Sequence, residues 1–217
     1  MGLDAGTEVT LERTPSPKSI NALRSKLAGN ELSLDEMHTV IRDIAEDRYT
    51  DKEISAFLVS AARDLSIGEV QSLTRARAEF AHRFDWGRDL VVDKHSMGGI
   101  PGSRITMIVI PIVAAHGLLI PKTSSRAITS AAGTADAMEA IARVDLSPEE
   151  VERVVGEGNG CIAWNGRLNH SAVDDVMNSI TRPLGIDSTK WAVASILSKK
   201  LAAGATHAII DIPVGPF

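Results

Sequence analysis

The first eighty residues alternate polar capping pairs with apolar residues at helical spacing. Apolar side chains recur every three or four positions, as at Met37, Ile41 and Ile44, which is the period of a helix with one buried face. A hydroxyl residue stands three positions before a glutamate ahead of three such segments, the spacing of a capping box: Ser33 and Glu36, Thr50 and Glu53, Ser66 and Glu69. With a further helix opening at Ser16-Pro17, residues 16–80 predict a helical domain, and the aperiodic residues 1–15 predict a tail.

Short apolar runs separated by polar loops replace this pattern after residue 81. Runs typical of strands occupy residues 90–92, 118–120, 161–164 and 208–212, and helices are predicted at 104–116, at 134–142, after Ser147 and at 187–203. The polar segments 93–103 and 121–126 are predicted to be loops. Because alternating strands and helices with short loops are typical of parallel βαβ units, residues 81–171 and 203–217 predict an α/β domain.

The two polar loops carry the candidate chemistry. The first contributes Lys94, His95 and Ser96, and the second contributes Lys122, Arg126 and several hydroxyl side chains. Since both loops follow parallel strands, they meet at the carboxyl edge of the sheet, where helix N-termini also present free N–H groups. Glycines, hydroxyls and cations together suit a phosphate or another small anion. The alternative is ordinary turn structure, because glycine- and serine-rich loops are common turns.

Composition and charge narrow the function classes. The 217 residues carry 23 Lys+Arg against 28 Asp+Glu, a net charge of −5, which argues against a surface built for a nucleic acid polymer. Cys161 is the single cysteine, and the charged N-terminal residues lack the apolar region of a signal peptide, so a cytoplasmic location is expected. The apolar stretch 105–120 is too short to span a bilayer, and no histidine has metal-ligand spacing, so neither a membrane nor a metal is expected.

Three motifs resemble the thymidine phosphorylase/AMP phosphorylase family. They read DKHSMGG at residues 93–99, PKTSSRAITSAAGT at 121–134 and ASILSKKLA at 194–202. The resemblance covers residues 16–217 and implies an all-α helical bundle domain, 16–80 joined by 172–202, hinged to an α/β domain with a parallel or mixed sheet. It also implies an active site in the cleft between the two domains, and a homodimer.

The family reaction is reversible phosphorolysis, in which inorganic phosphate displaces a base from C1′ of a nucleoside or nucleotide. The resemblance implies no cofactor, since phosphate is a co-substrate. It places the proton donor at Asp187 and a second catalytic residue at His95. It implies that phosphate is held by Lys94, Ser96, Thr106, Ser124 and Thr134. The implied nucleotide-binding residues are Gly99, Ser125, Arg126, Ala127, Ile128, Thr129, Ser130, Thr134, Ser195 and Lys199.

Two departures favour the AMP phosphorylase branch of the family. Thymidine phosphorylases read the pyrimidine with an arginine, and Ile180 stands at that position here. Their second loop is glycine-rich, whereas residues 125–130 carry hydroxyls beside Arg126, which suits the oxygens of a 5′-phosphate. The favoured reaction is therefore phosphorolysis of a nucleoside 5′-monophosphate to a free base and ribose 1,5-bisphosphate.

Two alternatives remain open at this point. One is a thymidine or other pyrimidine nucleoside phosphorylase, and the other is a non-catalytic nucleotide-binding relative. Anthranilate phosphoribosyltransferase has a related fold, but the carboxylate motifs with which it binds Mg²⁺ and diphosphate are not visible in this sequence. Because members of the family are longer than 217 residues, an N-terminal portion with an incomplete α/β domain is expected.

Overall fold

The predicted capping boxes begin three of the four N-terminal helices. The computed structural model describes residues 15–96, 104–126, 132–170 and 188–212, with single positions 173, 176, 177, 180, 185 and 214. The first helices are α1 Ile20–Leu27, α2 Leu34–Ala45, α3 Asp51–Arg63 and α4 Ile67–Glu79. At α2, α3 and α4 the N-cap hydroxyl accepts a hydrogen bond from the N–H of the glutamate three residues on, and that carboxylate accepts one from the N-cap N–H.

The helix α1 begins later than the sequence predicts. Its N-cap is Ser19, whereas the sequence predicts that the helix opens at Ser16-Pro17. The reason is a tertiary contact, because the N–H and the hydroxyl of Ser19 both donate to Asp43 Oδ2, at 2.8 and 2.7 Å. Asp43 lies 24 residues away on α2, so local capping rules could not locate this start.

One apolar core joins the first four helices to a helix from late in the chain. This late helix, α8 (Thr189–Ala202), packs against α3 and α4. Phe57 and Leu73 are fully buried in the core together with Ala194 of α8. The helical bundle therefore holds α8 in place.

The remaining elements form a parallel α/β unit. In chain order they are β1 Val92–Ser96, α5 Ile105–Ala115, β2 Ile120–Ser124, α6 Thr134–Glu139, α7 Pro148–Gly158, β3 Gly160–Trp164 and β4 His207–Asp211. β1 pairs with β4 and β2 pairs with β3, both in parallel. A single parallel bridge between Val91 and Leu119 connects the two pairs, which gives the order β4-β1-β2-β3. The fold is thus a helical bundle with an α/β unit whose described strands are parallel.

The bounds predicted for the first two strands are wrong. β1 extends from 92 to 96 and β2 from 120 to 124, so Lys94, His95 and Ser96 lie in a strand and not in a loop. The apolar runs mark only the beginning of each strand, and the residues that follow are polar although several of them are buried as well. The polar ends remain extended because their backbones pair with β4 and β3, whatever side chains they carry. β3 and β4 fall where the sequence predicts strands.

Two helices are shorter than the sequence predicts. α6 ends at Glu139 rather than at residue 142, and α8 begins at Thr189 after the N-cap Ser188, whose hydroxyl accepts a hydrogen bond from the N–H of Trp191.

Within the described residues, none of the helices combines the length and the apolar character that a bilayer span requires.

Candidate functional site

Three of the expected phosphate-binding residues meet at the end of β1. Lys94 Nζ donates a hydrogen bond to Ser96 Oγ and another, of 3.0 Å, to Thr106 Oγ1 on α5. Ser96 Oγ in turn donates to Asp211 Oδ2 of β4 at 2.8 Å. The ammonium of Lys94 is thus held between two hydroxyls that can also face an anion, which is the donor set that phosphate requires.

The neighbouring strand repeats this arrangement. Val91 pairs with Leu119, so Lys94 and Lys122 are equivalent positions, each three residues beyond the bridge. Ser96 and Ser124 are likewise equivalent, because each follows its lysine by two residues. The sequence therefore contains a repeated Lys-x-Ser segment at the carboxyl ends of adjacent parallel strands, where open α/β sheets bind ligands.

A buried ion pair connects this edge of the sheet to α8. Lys200 Nζ lies 2.6 Å from Asp93 Oδ2, and both side chains are almost fully buried. Asp93 Oδ1 also accepts a hydrogen bond of 2.6 Å from the N–H of Lys94. The sequence alone indicates no role for Asp93 or Lys200 beyond their presence within two of the family motifs, since a contact across 107 residues leaves no local pattern.

Among the described residues, the site contains more buried lysines than buried carboxylates. Lys94, Lys122 and Lys200 are only 7%, 5% and 5% exposed, and Asp93 is the buried carboxylate beside them. Burial, and after it the charge of Lys200, lowers the pKa of Lys122 to about 7, with Asp93 opposing the shift. Burial also lowers the pKa of Lys94. Burial disfavours the charged form of these amines, and the negative charge of a bound anion would favour it, so the excess of amines over carboxylates favours binding of an anion.

His95 is a neutral imidazole near neutral pH. Its own burial, followed by the charges of Lys200 and Lys122, lowers the pKa of His95 to about 4. A neutral ring can donate or accept a hydrogen bond, but it holds no spare proton for a departing base. Its catalytic role stays a prediction, and its protonation state favours contact with the substrate over acid catalysis.

Arg126, which directly follows β2, contacts two carboxylates of α6. Arg126 Nη2 donates to Glu139 Oε1 at 2.8 Å, Nη1 donates to Asp136 Oδ1 at 3.2 Å, and the guanidinium lies 4.8 Å from the centre of the Trp164 ring. These contacts hold the Arg126 guanidinium beside α6. A nucleotide phosphate that bound Arg126 would share this guanidinium with the carboxylates of α6. Its role in nucleotide binding stays a prediction.

Ser125, a hydroxyl residue expected in the site, is positioned by partners that no sequence pattern indicates. Ser125 Oγ accepts a hydrogen bond of 3.1 Å from Asn165 Nδ2, and the Ser125 carbonyl accepts one of 3.4 Å from the N–H of Ala135. Asn165 is almost fully buried directly after β3. The latter contact brings the loop after β2 to the first turn of α6, where Thr134 begins the helix.

On α8 the structure brings together the pair expected there. Lys199 Nζ donates to Ser195 Oγ at 3.0 Å, so the two side chains share one helix face as their spacing predicts. The remaining expected site residues lie outside the described residues, and their placement stays a prediction: Asp187, Gly99, Ala127, Ile128, Thr129 and Ser130.

Comparisons with known proteins agree with this architecture. Residues 20–81 match the model of the glycosyl transferase family, helical bundle domain, and residues 88–215 match that of the glycosyl transferase family, a/b domain. The chain is 66% identical over 215 residues to a bifunctional ribose 1,5-bisphosphokinase-thymidine phosphorylase of Azorhizobium caulinodans, and 62% identical over 216 residues to one of Roseobacter denitrificans. These alignments cover 99% of this chain but 31% and 32% of the two relatives, so the chain spans about a third of their length.

A solved structure shows the same fold. The crystal structure of anthranilate phosphoribosyltransferase from Thermus thermophilus matches with a TM-score of 0.75 at 23% identity, over 88% of this chain and 58% of the other. At this identity the similarity concerns the fold alone.

Proposed function

Because the chain belongs to the glycosyl transferase family whose helical bundle and a/b domains it matches, we propose that it serves phosphorolysis of nucleoside 5′-monophosphates such as AMP. In this reaction an oxygen of inorganic phosphate forms a bond to C1′ while the bond from C1′ to the base breaks. The base leaves with the bonding electrons and takes up a proton. The products are a free base and ribose 1,5-bisphosphate.

The observation that carries the proposal is the set of donors around Lys94. Its ammonium bonds the hydroxyls of Ser96 and Thr106, and the buried amines of Lys122 and Lys200 lie nearby. Phosphate is already an anionic nucleophile, so the protein needs to hold and orient it rather than activate it. A desolvated group of amines and hydroxyls on a rigid sheet edge meets that requirement.

The name of the relatives supports a 5′-nucleotide as substrate. It joins a thymidine phosphorylase to a kinase for ribose 1,5-bisphosphate. Phosphorolysis of a nucleoside 5′-monophosphate releases ribose 1,5-bisphosphate, whereas phosphorolysis of thymidine releases a deoxyribose with a single phosphate. A phosphorylase acting on the 5′-nucleotide would therefore supply the substrate of the kinase in such a relative.

The second candidate is a thymidine phosphorylase, which is the activity that the second part of the relatives' name states. Against it stands Ile180, where the arginine that reads the pyrimidine is expected from the family resemblance. The chemistry at C1′ is the same for both candidates, so the phosphate donors around Lys94 serve either substrate. Only the group at C5′ and the base distinguish them.

Separate incubations with AMP and with thymidine test the proposal. The 217-residue chain is incubated with each substrate and inorganic phosphate, released base is measured by chromatography, and the sugar phosphate is identified by phosphorus NMR. We expect adenine and a sugar with two phosphates from AMP. Turnover of thymidine without turnover of AMP would overturn the proposal, and binding of AMP without release of base would favour the non-catalytic alternative.

A further inference from the structure

Asn165 lies directly beyond the paired ends of β2 and β3. The last pair in the register joins Ser124 to Trp164, and the N–H of Asn165 donates a hydrogen bond of 3.0 Å to the carbonyl oxygen of Ser124. This contact brings Asn165 beside Ser125, the residue that follows β2. Asn165 is only 1% exposed, although asparagine is mostly exposed in proteins.

The backbone of Asn165 does not require an asparagine. Its φ angle lies outside the left-handed region, its N–H bonds Ser124, and its carbonyl oxygen accepts the N–H of His170 at 3.0 Å. Any residue except proline can make these two backbone contacts. What the asparagine adds is its side-chain amide, whose Nδ2 donates to Ser125 Oγ at 3.1 Å. The amide side chain therefore serves Ser125 rather than the backbone turn.

This hydrogen bond decides how the Ser125 hydroxyl can act. An amide –NH₂ group only donates, so Ser125 Oγ is the acceptor and keeps its own proton. Among the described residues that proton has no acceptor, since the other contact of Ser125 is made by its carbonyl oxygen with the N–H of Ala135. The hydroxyl is therefore held in place and left to donate to a ligand.

Trp164 positions the next residue of the same segment. Its ring lies 4.8 Å from the Arg126 guanidinium, and a Cβ at Gly166 would overlap the ring, so the glycine leaves the space that the ring occupies. Trp164 and Asn165 thus hold Arg126 and Ser125 respectively. Both held groups donate hydrogen bonds, which matches a ligand group that only accepts them, such as the phosphate of a monoester.

We propose that Asn165 is a positioning residue that presents the Ser125 hydroxyl as a hydrogen-bond donor to the 5′-phosphate of the bound nucleotide. This inference rests on the proposed function, since it takes a nucleoside 5′-monophosphate as the ligand. The 5′-phosphate offers charged oxygens to Ser125 and Arg126, whereas the 5′-hydroxyl of a nucleoside is uncharged and gains less from either. Asn165 thereby contributes to a preference for the nucleotide over the nucleoside.

Equilibrium binding of AMP and of adenosine tests this role without requiring turnover. Asn165→Asp keeps the size of the side chain, but its carboxylate only accepts, so the proton of the Ser125 hydroxyl turns toward it and away from the ligand. In calorimetry without inorganic phosphate, we expect the Kd for AMP to rise about tenfold or more and that for adenosine to stay within about twofold. Equal weakening of both ligands would overturn the proposal, because a merely structural role affects both.

A double-variant cycle separates this role from the charge that Asn165→Asp introduces. Asn165→Ala and Ser125→Ala should each raise the Kd for AMP about tenfold, and the double variant should bind AMP within about twofold of Ser125→Ala alone. Additive losses would show that Asn165 does not act through Ser125. Asn30→Ala is the matched control and should leave the Kd unaltered, because Asn30 Nδ2 also donates to a serine hydroxyl, that of Ser25 at 3.4 Å, but at an exposed position.

A crystal structure of the unaltered chain with AMP tests the same contact without any substitution. We expect Ser125 Oγ to lie about 2.5–3.0 Å from an oxygen of the 5′-phosphate, with Asn165 Nδ2 still bonded to Oγ. A 5′-phosphate bound away from Ser125 would contradict the proposal whether or not the variants fold.

Failure of this inference is distinguishable from failure of the proposed function. If AMP binds but is not cleaved, and Asn165→Asp still weakens AMP and not adenosine, the proposed reaction is wrong and the role of Asn165 stands. If AMP is cleaved and Asn165→Asp keeps the same preference for AMP over adenosine, the reaction stands and the role of Asn165 is wrong.

Discussion

Lys200 Nζ lies 2.6 Å from Asp93 Oδ2, and this buried ion pair joins α8 of the helical bundle to the strand that carries Lys94. Asp93 fixes two groups at once, because its other oxygen accepts the N–H of Lys94 at 2.6 Å. The residues of α8 expected to contact the nucleotide and the residue of β1 expected to hold phosphate are thereby held in one network. In the proposed reaction, this network would fix the distance between the nucleotide and the phosphate.

Breaking this pair should destabilise the chain strongly. Asp93→Asn keeps an oxygen for the Lys94 N–H but leaves the Lys200 ammonium buried without its carboxylate. We expect a loss of about 3 kcal/mol or more in the free energy of unfolding, measured by urea denaturation. Glu157→Gln is the control, because its pair with Arg153 is exposed and should contribute less than about 0.5 kcal/mol.

The double variant Asp93→Asn with Lys200→Met extends this test. Replacing both partners removes the uncompensated charge, so it should recover much of the stability that Asp93→Asn loses. An Asp93→Asn chain as stable as the unaltered one would show that the pair has no structural role.

Lys94→Ala should weaken phosphate binding more than any other single change at β1. The variant removes the ammonium that holds the hydroxyls of Ser96 and Thr106, so we expect the KM for phosphate to rise about 10- to 100-fold. Initial rates of base release at varied phosphate concentration measure it. Lys52→Ala on the exposed surface of α3 is the control, and an unchanged KM in Lys94→Ala would contradict its assignment.

Asp187→Asn tests the proton donor that the family resemblance implies. The amide keeps the size of the side chain but cannot protonate the departing base, so kcat should fall about 100-fold or more. Calorimetric binding of phosphate should stay nearly unaltered, because the expected phosphate donors lie on β1, β2, α5 and α6 and do not include Asp187. A kcat equal to that of the unaltered chain would exclude Asp187 as the general acid.

Acid should destabilise the chain through a buried histidine outside the phosphate site. His170 Nε2 contacts the carbonyl oxygen of His82 at 2.6 Å, and its Nδ1 is buried without a hydrogen-bond partner among the described residues. Burial lowers the pKa of His170 to about 4, below its value in the unfolded chain of about 6.5. The unfolded chain therefore binds the proton first, and stability present above about pH 6.5 is lost as the pH falls toward 4.

Urea denaturation between about pH 7 and pH 4 measures this loss. The slope of the unfolding free energy against pH should decrease in His170→Gln, which cannot take up the proton. His95 also has a pKa lowered to about 4, so part of the slope should remain in this variant. His116→Gln at an exposed position is the control, and equal slopes for His170→Gln and the unaltered chain would contradict the prediction.

The sequence predicts the local part of this structure and misses the tertiary part. Capping boxes such as Ser33 with Glu36 depend on neighbouring residues, and the structure confirms them. The contact of Lys199 with Ser195 also follows from helical spacing alone. By contrast, the contact of Asp93 with Lys200 joins residues 107 positions apart, and no periodicity reports it.

The predicted bounds of β1 and β2 are wrong for a related reason. Hydrophobic patterning marks where a strand is buried among apolar neighbours, and β1 changes after Val92 to charged and polar residues. Those residues remain in the strand because β4 pairs with their backbone, from Val92 with His207 to Ser96 with Asp211. At a ligand-binding edge, polar side chains are required by function, so the pattern ends before the strand does.

The guanidinium of Arg126 offers the sharpest test between a nucleotide and a nucleoside as substrate. It is charged, planar and able to form paired hydrogen bonds with phosphate, and it is held beside α6 by Glu139 and Asp136. If it binds the 5′-phosphate, Arg126→Ala should raise the KM for AMP about tenfold or more and leave the rate with adenosine unaltered. Arg126→Lys should restore little, since a single ammonium cannot reproduce the paired contact.

Arg153→Ala, at an exposed position of α7, is the matched control and should keep the preference for AMP over adenosine. Because Arg126 also stacks on Trp164, the melting temperature is measured alongside, and a fall in stability with an unaltered preference for AMP would assign Arg126 to the structure rather than to the substrate.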